Sequence, residues 1–143
     1  MNKYILLLAP FLFSSVVQAG SDPKPFKTSL DYAQVQQVDA VQSKDGSWCF
    51  NTQVKHNDQG WEHYADEWQV ADLEGNVLGS RKLLHPHDNE QPFTRSLCNI
   101  ELSDEIRKVV VSAKCNLHDF SGQHVVVDLS TAGGKEFTVK TVN

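Results

Sequence analysis

His85 and His87 flank a single proline, and His63 lies in the same dense stretch between Trp61 and Leu97. Side chains of an extended chain alternate faces, so His85 and His87 point the same way. Two imidazoles on one face have the spacing of metal ligands, and imidazole suits zinc, copper and nickel. Ion binding is the chemistry these residues suggest. Neither Ser80 nor Ser96 sits in a Gly-x-Ser-x-Gly elbow, and the chain contains no Cys-His signature or phosphate-binding glycine loop.

The elements that must position these histidines alternate with a period of two, not 3.6. Strands are expected near 33–42, 47–56, 61–72, 77–85, 92–99, 106–116, 123–130 and 135–142, separated by turns such as Lys44-Asp45-Gly46, Asn57-Asp58-Gln59-Gly60 and Gly133-Gly134. Leu73-Glu74-Gly75-Asn76 reads as a hairpin turn with Gly75 at positive φ, and Ser103 to Ile106 as one helical turn. Short strands at this spacing predict an all-β fold, a single immunoglobulin-like antiparallel β-sandwich. Trp48, Phe50 and Val54 share one face of the second strand, and Trp68 and Val70 one face of the third, as core residues do.

Successive strands of such a sandwich alternate in direction, so the ends of even strands and the starts of odd ones gather at one pole. His56, His63, His85, His87, His118 and His124 all fall there. Histidines converging from several loops on a rigid scaffold are a preorganised site for a transition metal, copper or zinc. The expected ligands are His63, His85, His87 and His118, with His56 as an additional candidate. Asp66 and Glu90 are expected to hydrogen-bond the imidazoles and fix their tautomers. Arg95 would brace the histidine loops through Glu90 or Asp66, or receive a carboxylate or phosphate from a ligand. Loop histidines also serve as plain polar surface. The alternative function is therefore an immunoglobulin-like interaction module for an envelope protein, with Trp61, Tyr64 and Arg95 at its centre. A small metallohydrolase is a third reading, for which no paired acid and base are identifiable.

Lys3, the apolar run from Tyr4 to Val17 and Val17-Gln18-Ala19 form the three parts of a signal peptide, with cleavage expected after Ala19. The run is too short to span a bilayer and breaks at Pro10, and no cysteine follows the cut, so no membrane anchor is expected after cleavage. The short Asn-Lys start has a bacterial look, which makes the periplasm or the exterior the expected destination. Residues 1–19 are thus the signal, 20–30 a flexible segment containing Pro23 and Pro25, and 31–143 one domain. Removing residues 1–19 takes one lysine and no acid, so the net charge moves from −5 to −6. A nucleic acid is a poor partner for such a chain, and a cation a better one. In an oxidising compartment two of the three cysteines should pair. Cys49 opens the second strand and Cys98 closes the fifth, its expected neighbour, so Cys49–Cys98 is the first choice, with Cys115 free; Cys98–Cys115 is the alternative.

His63-Tyr64-Ala65-Asp66-x-Trp68, Gly75-x-Val77-Leu78-Gly79-x-Arg81 and the run from His85-Pro86-His87 through Glu90-Gln91-Pro92-Phe93-Thr94-Arg95-Ser96 carry a resemblance over about residues 47 to 130. They look like a family of small exported bacterial proteins of unknown function. Its pattern also has histidines matching His56 and His118, and a glycine pair where this chain has Ser121-Gly122. The resemblance implies a one-domain β-sandwich with a polar, histidine-rich pole and brings no established activity. His124 has no counterpart in that pattern, and Cys49, Cys98 and Cys115 depart from it.

Overall fold

The computed structural model describes residues 25–143; the expected signal peptide lies outside them, as does the start of the 20–30 segment. Among the described residues no helix is long and apolar enough to cross a membrane. Eight strands follow the predicted order: β1 (Gln34–Gln42), β2 (Trp48–Lys55), β3 (Ala65–Ala71), β4 (Val77–Lys82), β5 (Phe93–Ile100), β6 (Lys108–Cys115), β7 (Val125–Asp128) and β8 (Phe137–Thr141). They form two four-stranded sheets, β5-β2-β1-β8 and β4-β3-β6-β7, packed as a sandwich.

Alternation decides what each sheet buries. In β2 every second residue turns inward, so Trp48, Phe50, Thr52 and Val54 are buried. In β1 the inward set passes from Val35 to Val38 and Ala40, an odd number followed by even ones. A bulge between Val35 and Gln37 makes this possible, because one extra residue switches the face that later side chains occupy. The same device operates in β3, where an irregularity between Ala65 and Glu67 lets Ala65, Trp68 and Val70 all face the core. Both bulges lie toward the pole that carries the histidines.

The pairing expected to be antiparallel throughout has one exception, since β8 runs parallel to β1. β8 arrives from the opposite sheet, so no hairpin dictates its direction. The third strand also begins later than expected, at Ala65 and not Trp61, because Gly60 takes a left-handed φ of 66° and the Asp58 carboxylate holds the turn. The β3–β4 hairpin turns as predicted, with Gly75 at φ 89° and Asp72 Oδ1 accepting the amides of Glu74 and Asn76. Ser103 to Ile106 forms a single hydrogen-bonded turn.

Phe26 to Leu30, expected within a free tether, lie against the sandwich. The Lys27 amide donates to the Ser121 carbonyl at 2.9 Å, Asn57 donates to Leu30, and Phe26 packs edge-on against the His124 ring. Buried Gln34 gathers this segment by donating to the carbonyls of Lys27, Ser29 and Tyr32, while its own oxygen accepts from Gln123. At the other pole Cys49 and Cys98 form a disulfide across the adjacent strands β2 and β5.

Candidate metal centre

Antiparallel register brings four chain segments together at one pole. Gln34 pairs with Lys55, which sets the segment before β1 beside the residue after β2; Ala65 pairs with Cys115, which sets the start of β3 beside the end of β6. Asp31 and His56 therefore come from one sheet, and His63 and Cys115 from the other. The ligand atoms of His56, His63 and Cys115 lie within 4.8 Å of one another. Cys115 Sγ is 3.4 Å from His63 Nε2 and 3.3 Å from His118 Nδ1. Ligands bound to one ion at 2.0–2.3 Å sit about 3–4 Å apart, so these separations suit a shared ion.

A main-chain carbonyl lies against every member of the cluster. Asp31 O is 3.1 Å from His56 Nε2, 3.2 Å from His63 Nε2, 2.9 Å from His118 Nδ1 and 3.5 Å from Cys115 Sγ. A carbonyl oxygen has two lone pairs, so four groups compete for two good hydrogen bonds. Any ring nitrogen that arrives without a proton then directs its lone pair at the oxygen, an arrangement a cation would reverse from repulsion to attraction.

The residues around the cluster fix it in place. His56 is 1% exposed, and its Nδ1 lies 2.6 Å from Asp58 Oδ1. A carboxylate only accepts, so Nδ1 carries the hydrogen, and Nε2 is the ring nitrogen left facing the cluster. Asp58 also accepts the amides of Ala65 at 2.9 Å and His87 at 2.7 Å. Burial by itself would raise this carboxyl, but the hydrogen bonds from His56, Ala65 and His87 outweigh it and hold it below its ordinary value. Asn116 pins the His63 loop to β6 by accepting from the Tyr64 amide and donating to the carbonyls of Trp61 and Glu62. Gly122 lets the segment carrying Asp31 approach closely, since a Cβ there would stand 2.0 Å from Ala33 O.

The four expected ligands divide between two places. His63 and His118 join the cluster, while His85 and His87 form a separate pair with ring centroids 4.5 Å apart. Asp58 holds the His87 amide, and the His87 ring stacks on Phe93 of β5 at 3.9 Å, with its Nδ1 3.8 Å from Asp58 Oδ2. His87 is 4% exposed with neither ring nitrogen hydrogen-bonded. Its pKa is lowered, by burial first and then by the positive charges of Arg95 and His85. Arg81, Lys82, His85, His87 and Arg95 line a shallow groove of about 370 Å³ here. His124 contacts Phe26 and stands apart from the cluster, its pKa lowered by burial.

The carboxylates are also redistributed. Asp66, expected beside an imidazole, pairs with Lys114 at 2.9 Å because it faces out of β3 toward β6. Glu90 pairs with Arg95 at 3.1 Å, the brace expected of that arginine. Asp58 performs the orienting role instead. Cys115 and the Asp31 carbonyl join the cluster beyond the residues expected from the sequence; the signals in the sequence are the His56-x-Asp58 and Cys115-x-x-His118 spacings. A larger cleft of about 680 Å³ lies at the opposite pole, between the Asp45 turn and residues 101–107, and has neither histidine nor cysteine in its lining.

No family model matches the chain, and neither does any solved structure. A protein of Halomicrobium mukohataei named "Putative lipoprotein" is 39% identical over 103 residues, which are 71% of this chain. The chain spans about half the length of that relative.

Proposed function

We propose that this protein is an exported protein that binds one transition-metal ion at the pole formed by His56, His63, Cys115 and His118. The carrying observation is the convergence of three imidazole nitrogens and one sulfur on a single carbonyl oxygen. Burial of His56 and Cys115 within a braced framework favours a built site over ordinary polar surface. The disulfide favours an oxidising compartment, periplasmic or extracellular, and the apolar leader and the lipoprotein name of the relative favour export. The resemblance to small exported bacterial proteins points the same way.

Calorimetric titration of the purified protein with Zn²⁺ and Cu²⁺ is the test. One ion per chain is expected, with binding lost in His63→Ala and kept in a His85→Ala, His87→Ala double variant. His63 is only partly buried, so its variant should fold. Saturation at about 100 times Kd should stabilise the protein by about 2.7 kcal/mol. Stoichiometric binding that survives His63→Ala but not the double variant would move the site to the His85–His87 pair.

A second reading, an interaction module of the envelope, draws on exposed Trp61, Leu84 and Leu117 in the loops of the same pole. Trp61 packs edge-on against Tyr64 and remains open to solvent. Metal-independent capture of one partner by the wild type, lost in Trp61→Ala, would favour it.

A further inference from the structure

We infer that the ion is copper, held by the Cys115 thiolate and the imidazoles of His56 and His63, with the Asp31 carbonyl as a weak further ligand. This rests on the metal-binding reading above and specifies it. Structural zinc sites use two to four thiolates or a mixture completed by histidine, and catalytic zinc keeps a water position. One thiolate, two imidazoles and a backbone oxygen instead form the ligand set of mononuclear copper sites that transfer single electrons. For a given nitrogen and sulfur site, Cu²⁺ also stands highest in the divalent affinity order.

Three features fit a copper–thiolate bond in particular. Cys115 is 1% exposed, so a second thiol cannot reach it and Cu²⁺ has no route to an intermolecular disulfide. The other two cysteines are bonded to each other at the far pole. The Cys115 sulfur accepts the His118 amide at 3.2 Å, and hydrogen bonds to the sulfur are one means by which proteins tune such sites. His63 and His118 remain partly exposed, which leaves a route for an ion from solvent. Loading breaks the Cys115 S–H bond, releases its proton to the buffer and forms the copper–sulfur bond; reduction then adds one electron to Cu²⁺ to give Cu⁺ with no further proton moved. Ascorbate can supply that electron, and ferricyanide can take it back.

The test is optical. Metal-free protein is given one equivalent of Cu²⁺ and its visible spectrum recorded before and after ascorbate, then ferricyanide. An intense thiolate-to-copper charge-transfer band is expected, bleached by ascorbate, restored by ferricyanide, absent in Cys115→Ser and retained in the His85→Ala, His87→Ala double variant. The wild-type spectrum decides the matter even if Cys115→Ser fails to fold. Stoichiometric Cu²⁺ or Zn²⁺ binding without such a band would overturn the copper–thiolate assignment and leave the metal-binding reading standing. Binding of neither ion would overturn both.

Discussion

Asp58 Oδ1 accepts a hydrogen bond from His56 Nδ1 at 2.6 Å with both side chains fully buried. The same carboxylate holds the His87 amide, so one residue orients a candidate ligand and anchors the loop that carries a second histidine. Removing such an orienting partner typically weakens metal affinity by about 10–100-fold. Asp58→Asn should show a loss of that size by calorimetry while remaining folded. Asp58→Ala, which strands three buried donors, should cost about 3 kcal/mol or more in urea unfolding. An affinity within twofold of wild type in Asp58→Asn would exclude the orienting role.

Acid should destabilise the metal-free protein before its carboxylates titrate. The lowered His87 pKa means that the unfolded chain binds a proton more readily than the folded one, starting near the ordinary value of 6.5. Stability from this residue is present above that value and lost as pH falls toward the folded pKa. His124 acts in the same sense, and Asp58 adds its own loss at lower pH as the folded carboxyl is protonated. Urea unfolding in chelator should show a smaller drop between about pH 7.5 and 5.5 in His87→Phe than in wild type. Equal drops would remove His87 from the account. With metal present, binding itself should weaken below roughly pH 6, as protons compete for imidazole nitrogens.

The disulfide and the histidine–cysteine cluster occupy opposite poles and should act independently. Cys49 and Cys98 are 49 residues apart in sequence. A loop of that size contributes on the order of 4 kcal/mol in the chain-entropy picture. A Cys49→Ser, Cys98→Ser variant should therefore melt lower yet keep its metal stoichiometry. Loss of binding in the folded variant would show that the poles are coupled.

Gly122 offers a structural test of the Asp31 carbonyl. Gly122→Ala would press a methyl group into the Ala33 carbonyl and push the segment before β1 outward. Overpacking of this kind costs about 1–3 kcal/mol. The same displacement should weaken metal binding, because Asp31 O lies 3.1 Å from His56 Nε2 and 2.9 Å from His118 Nδ1. Unchanged affinity in a destabilised variant would assign the carbonyl no part in holding the ion.

The sequence by itself determined the strands and the pole. Period-two alternation, Gly75 and the short turns mark eight strands, and alternating strand direction is enough to send His56, His63 and His118 to one end and Cys49 with Cys98 to the other. Tertiary structure decided which of those groups touch. Bulges in β1 and β3 reset which side chains face inward, a one-residue effect that a pattern of period two does not announce. His85 and His87 have the more conspicuous spacing, yet stacking on Phe93 and the Asp58 hydrogen bond take His87 out of the cluster. Cys115 enters because Ala65 lies opposite it across two strands 50 residues apart, and the Asp31 carbonyl because Gln34 and Gly122 draw in the residues just before β1 together with the flexible segment that precedes them. A main-chain oxygen has no residue type to betray it, so only the folded chain could reveal that the other groups converge on it.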